Sequence, residues 1–114
     1  AALWVRVVDV AGALESRRYA APVDVVLEVT DAMIPDNTGR WHLAGNGSSA
    51  KCQPTGAAPD LSVDVRDLGA AYLGGTSLAT LAAAGRVTEH RPGTLGAASV
   101  AFGWHRAPQS VEVF

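Results

Sequence analysis

The chain contains a single cysteine, Cys52, so no intrachain disulfide can staple it. Its fold must come from burial, and a chain of 114 residues buries roughly two-thirds of its unfolded surface, enough for one core. A lone thiol is also a poor catalytic candidate. A reactive cysteine needs a neighbouring base to hold it as thiolate, and no such base is marked near Cys52, which reads as a small buried apolar side chain. Long apolar runs are missing too. None approaches the ~20 residues that cross a bilayer, so no membrane partner is expected. Positive charge is not in excess: the formal net charge is −2, which offers no attraction to a phosphate backbone, and nucleic acid is not an expected partner. The opening "AALWVRVVDV" lacks a leader pattern and starts without Met. It reads as the beginning of a domain cut from a longer protein.

Motifs of self-contained catalysis are equally scarce. His42, His90 and His105 lack the short spacings of metal ligands, and no metal is expected. There is no Gly-x-Ser-x-Gly elbow. The glycine-rich "LGGTSLA" is not followed by the Lys and Ser/Thr of a phosphate loop, so it reads as helix capping. Asp24, Glu28, Asp64 and Asp67 fall mostly on faces expected to be wet.

What is present is alternation. "LWVRVVDV" (Leu3 to Val10) reads as a strand and "AGALESRRYA" as a short helix. In "VDVVLEVTD", Val23, Val25, Leu27 and Val29 share one face, and Asp24, Glu28 and Thr30 the other. "DAMIPDNTG" is a loop, whose Met33 and Ile34 could mark an interface. "RWHLA" and "AKCQP" form a hairpin across "GNGSS", with Pro54 at an end or edge. "DLSVDVR" alternates again. The period then changes to helical, with stripes Leu68/Ala71/Tyr72, Leu78/Leu81/Ala82 and Leu95/Ala98/Phe102. Gly74–Gly75 and Gly85 end the first two helices. Strands joined by short loops and helices gathered late predict an α+β two-layer domain: about five mainly antiparallel strands with helices on one face. The whole of 1–114 reads as one domain.

The unusual feature is the tail "APQSVEVF", which ends on apolar Val113 and Phe114 where termini are commonly polar. Here a resemblance enters. "VDVVLEVTDAMIPDNTGRWHL" and "DLSVDVRDLGAAYLGGTSLATLAAAGRV" resemble the sterol-carrier-protein-like fold, with its Val-x-Asp strand end, its Gly-x-Trp-x-Leu strand and a Gly-Gly step between small helices. "RRYAAPVDVVLEVTD", "RDLGAAYLGG" and the terminal "AFGW…EVF" resemble more specifically the C-terminal domain of Eis-type (enhanced intracellular survival) N-acetyltransferases.

That resemblance implies GNAT-type acetyltransferase domains earlier in the same chain, acetyl-CoA bound there and not by this domain, hexameric homo-oligomers and a cytoplasmic location. It implies that this domain closes the pocket for an amine substrate, such as an aminoglycoside, and that the carboxylate of Phe114 reaches the reacting centre. Glu112 would add negative charge for a cationic acceptor, although Val113 stands where some relatives have an acidic residue. The family's general-acid tyrosine belongs to the preceding part, so Tyr19 and Tyr72 are not given that role. Alone, the domain would be inactive. The alternatives are a sterol or lipid carrier, as the fold's namesakes suggest, and a purely structural or oligomerisation domain.

Overall fold

The computed structural model describes residues 9–103. Asp9 caps helix α1 (Val10–Ser16) by accepting from the Gly12 N–H, and Val10, Ala13 and Leu14 form its buried stripe. The expected strand from Leu3 lies outside the described residues except for its last two, and these start a helix instead. Then follow β1 (Val23–Thr30), a 3-10 turn (Pro35–Asn37), β2 (Gly39–Gly45), β3 (Ala50–Pro54), β4 (Leu61–Asp64), α2 (Val65–Tyr72), α3 (Leu78–Ala83), β5 (Val87–Glu89) and α4 (Thr94–Gly103).

The five strands order as β3-β2-β1-β4-β5, so β1 is central. Its alternation behaves as read, with Val23, Val25, Leu27 and Val29 buried. The sheet is mainly antiparallel, as expected: three pairings are antiparallel, whereas β1 and β4 run parallel. The register explains how a short connection achieves this. Pro54 pairs with Trp41, Trp41 with Leu27, and Leu27 with Leu61. The chain therefore leaves β3 and enters β4 on the same row of the sheet, and residues 55–60 need only cross sideways. Arg40 pins the crossing by accepting from Thr55 N–H through its carbonyl and donating from Nη1 to the Ala57 carbonyl.

One boundary also moves. β4 stops at Asp64, because that side chain turns to accept the Arg66 N–H and cap α2. Among the described residues the sheet has five strands, and one of them, β5, was not expected. Both α2 and α3 end in Schellman motifs. Gly74 and Gly85 take positive φ (77° and 78°), and Gly75 N–H and Arg86 N–H reach back to the Ala70 and Leu81 carbonyls.

One core joins the helices to one sheet face. Leu14, Leu27, Leu43, Leu61, Leu68, Tyr72, Leu78 and Phe102 are among its largest fully buried side chains. The three helical stripes contribute as expected, with Leu95 and Ala82 at the margin.

Candidate functional site

The ends of α2 and α4 converge on one buried arginine. Arg17, just past α1, is only 2% exposed. Its Nη1 donates to the Tyr72 carbonyl at 3.1 Å, Nη2 to the Phe102 carbonyl at 3.2 Å, and Nε to the Arg18 carbonyl at 3.0 Å. Those first two acceptors belong to the last turns of α2 and α4, where carbonyls lack helical partners and the helix dipole is negative. The guanidinium carbon also lies 4.9 Å from the ring centre of Tyr19, 5.6 Å from Tyr72 and 5.0 Å from Phe102. Burial pulls the Arg17 pKa down, and the two tyrosines partly oppose it. A guanidinium nonetheless keeps its proton in a protein. Next to it, Ala20 N–H donates to the Ala101 carbonyl at 2.8 Å. Tyr19 meets Phe102 edge to face at 5.2 Å. Residues 17–20 thus hold the end of α4, beyond which the sequence runs eleven residues to Phe114.

The tyrosines here are engaged in structure. Tyr19 donates its hydroxyl to the Leu14 carbonyl at 2.7 Å, and burial drives its pKa well above the ordinary phenol value. The Tyr72 hydroxyl bonds Ser16 Oγ at 3.2 Å. Cys52 is buried, and burial pushes its thiol up to about 12, so it stays protonated at neutral pH.

The opposite face of the sheet is polar. His42 Nε2 lies 2.6 Å from Asp24 Oδ1, and Glu28 takes Arg40 Nε on one oxygen and Ser62 Oγ on the other. His90 Nε2 sits 2.7 Å from Ser62 Oγ. This is not an activated serine. The single hydroxyl proton of Ser62 goes to Glu28, so His90 must donate to Ser62, the reverse of a base withdrawing a proton. Asp24 and Glu28 are on the wet face as expected. Asp67 is not: it is buried on α2 and accepts from Arg86 Nε at 2.7 Å. Among the described residues no three His, Cys, Asp or Glu side chains group closely enough to hold a metal. No described helix is long and apolar enough to cross a membrane.

Two open clefts flank this framework. One, of about 340 Å³, lies between the start of β1 and the start of α4, lined by Val23, Asp24, Arg91 and Thr94 among others. The second, of about 280 Å³, lies beside Met33, Asp64 and Arg66. Phe114, Val113, Glu112 and His105 lie outside the described residues. Sequence reasoning missed Arg17 altogether: "AGALESRRYA" reads as one helix, whereas α1 ends at Ser16, and no periodicity separates the buried Arg17 beyond it from the exposed Arg18.

The mixed sheet with helices on one face, five strands and four α-helices among the described residues, is of the sterol-carrier-like class. The chain belongs to the sterol carrier protein domain family, which it matches over residues 10–110. It is 57% identical over 107 residues to an uncharacterized N-acetyltransferase of Streptomyces coelicolor, covering 94% of this chain and 26% of that one. It is 42% identical over 88 residues to the N-acetyltransferase Eis of Mycobacterium tuberculosis, covering 75% of this chain and 20% of that one. In structure it is similar to Eis from Mycobacterium abscessus, with TM-score 0.76, 38% identity, 88% of this chain covered and 25% of the other. A GCN5-related N-acetyltransferase from Kribbella flavida gives TM-score 0.77 at 33% identity, covering 86% and 26%. The likeness to Eis-type acetyltransferases read from the sequence is borne out, and the chain spans about a quarter of the length of these relatives.

Proposed function

We propose that this chain is the domain of an Eis-like N-acetyltransferase that closes the amine-acceptor pocket. The observation that carries the reading is the 42% identity to Eis over most of the chain, joined to coverage of only a fifth of Eis. Acetyl-CoA would bind the acetyltransferase domains in the remainder, and amines such as aminoglycosides would be the acceptors. By the same reading, the whole protein is a cytoplasmic homo-oligomer, a hexamer as in the family, and this domain alone does not catalyse.

Phe114 would supply its α-carboxylate. Such a group has an ordinary pKa of about 3.3–3.7 and is ionised at neutral pH. It can hold an ammonium, or accept its proton if desolvation raises that pKa. Glu112 would add negative charge near a cationic acceptor. The described tyrosines support leaving proton transfer to the terminus, because their hydroxyls are committed to Leu14 and Ser16.

Three variants of the full-length protein test this. Appending Gly-Ser after Phe114 moves the carboxylate and keeps the ring. Deleting Phe114 shifts the carboxylate back by ~3.4 Å, one strand step. Phe114→Leu keeps it in place. Extension and deletion are expected to cut amine acetylation by ~100-fold or more, with Phe114→Leu much milder. Full activity in the extended variant would overturn the assignment.

A further inference from the structure

We propose that strand β3 is a pairing edge for a second copy of this chain, and that Glu15 keeps it closed. This does not rest on the acceptor-pocket reading above. The sheet ends in β3 on one side and β5 on the other. An edge strand presents a row of main-chain donors and acceptors that another strand can take up. The β5 edge is only three residues long and offers little, whereas β3 has five.

The register says which groups of β3 face outward. Thr55 N–H donates to the Arg40 carbonyl, and Gln53 and Lys51 lie opposite His42 and Ala44. In an antiparallel pair, residues bonded to the neighbour alternate with residues whose main-chain groups point away. Lys51, Gln53 and Thr55 are therefore engaged with β2, and Ala50, Cys52 and Pro54 point outward. Pro54 has no N–H to offer. Cys52 N–H is taken by Glu15 Oε2 at 2.8 Å, a side chain of α1 that lies 37 residues away in sequence. Glu15 is itself exposed, so its contact with the edge is not a by-product of burying it. Of the three outward positions, one lacks a donor and the central one is occupied. Ala50 N–H, beside the "GNGSS" turn, is the donor left over.

The occupant that this row fits is the same row. About a two-fold axis at Cys52, the β3 strands of two copies run antiparallel, and a symmetric pair needs only one self-complementary patch. Each Cys52 N–H then donates to the Cys52 carbonyl of the other copy. That is the donor Glu15 holds, so the closed edge and the paired edge are mutually exclusive.

The test uses the full-length protein. Sedimentation velocity over a range of concentrations follows self-association, and hydrogen exchange is read over residues 50–54. Glu15→Ala frees the Cys52 N–H. Its particles are expected to enlarge at concentrations about tenfold or more below any onset in wild type, the scale of two main-chain hydrogen bonds gained. Exchange at Cys52 should quicken in dilute protein and slow again as the particles grow. Glu15→Gln keeps an acceptor oxygen in place and should behave as wild type. Ala50→Pro, added to Glu15→Ala, removes the remaining outward donor without touching the ladder to β2. It should return the particles to wild-type size, which it could not do for association through unfolded chains. If Glu15→Ala does not fold, Glu15→Asp, one methylene shorter, carries the same expectations. Glu15→Ala particles of wild-type size at every concentration overturn the proposal, whatever the exchange rate. So does association of Glu15→Gln equal to that of Glu15→Ala, and so does association that Ala50→Pro leaves intact, because the contact then lies elsewhere.

Discussion

Arg17 and Phe102 meet twice: Nη2 donates to the Phe102 carbonyl at 3.2 Å, and the guanidinium carbon lies 5.0 Å from the centre of the Phe102 ring. The two contacts make different demands on a substitute. Methionine fills the apolar space but leaves the Tyr72 and Phe102 carbonyls without that donor, at a cost of about 1–3 kcal/mol. Lysine keeps a charge whose compact ammonium is more strongly hydrated and does not stack. Chemical unfolding should therefore show Arg17→Lys at least as destabilised as Arg17→Met, the reverse of conservative-substitution logic. A lysine variant of wild-type stability would show that the fork geometry is unnecessary.

Asp60 ties the centre of the sheet to its edge. Its carboxylate accepts from Val26 N–H at 2.9 Å and Arg91 Nε at 2.8 Å, and its carbonyl accepts from His90 N–H at 2.7 Å. Burial alone would raise its pKa, but the Arg91 and Val26 hydrogen bonds and the Arg91 charge outweigh it and hold the carboxyl below its ordinary value. A depressed folded-state pKa stabilises above the unfolded value, about 3.9, and that stability is lost as pH falls through the folded value. The urea midpoint of wild type should thus drop below about pH 4. Asp60→Asn should start lower at pH 7 and converge on wild type as the pH falls through that range. Parallel curves would remove Asp60 from the acid response.

The loop after β1 invites an opposite pair of substitutions. Asp31 is buried and accepts from Met33 N–H, Ile34 N–H and Asn37 Nδ2 at 2.9–3.0 Å. Asn37 in turn accepts from Val10 N–H at 3.1 Å, linking the loop to α1. Met33 is 75% exposed. Asp31→Ala should cost about 3 kcal/mol by stranding several donors, whereas Met33→Ser should change stability by under ~0.5 kcal/mol. Thermal unfolding distinguishes them, and similar small shifts for both would mean the network does not shape the loop.

How much of this was legible in the sequence varies by residue. Val23, Val25, Leu27 and Val29 declared their face because a strand buried on one side enforces a period of two. Leu68, Ala71 and Tyr72 did so at helical spacing, and Gly74 and Gly85 ended their helices as positive-φ glycines do. The parallel pairing of β1 with β4 was not legible, because periodicity describes one strand's faces and not its neighbour. β5 escaped because Val87–Glu89 is three residues long and buries only Val87. Asp67 read as wet because its partner, Arg86, arrives from beyond the next helix. Arg17 was hidden for the same reason: its acceptors are 55 and 85 residues away, and only the folded chain brings them together.

Cys52 offers the last prediction. It sits on β3 opposite Leu43, is 5% exposed, and its N–H donates to Glu15 Oε2 at 2.8 Å from α1 above it. Burial raises the thiol to about 12, and the Glu15 and Asp9 charges push the same way. Only the thiolate reacts with a disulfide reagent. At pH 8 such a thiol is ionised in about one molecule in ten thousand, against roughly a quarter for an unfolded cysteine of pKa ~8.5. Labelling by an aromatic disulfide should therefore be at least ~1,000-fold slower in the folded protein than in urea, with what remains passing through local opening under α1. Glu15→Gln should accelerate it a few-fold at most, because desolvation is the larger cause and the substitution removes only one nearby charge. A folded-state rate within tenfold of the unfolded rate would mean that α1 does not seal β3, and Cys52 would then be a reactive surface thiol rather than part of the core.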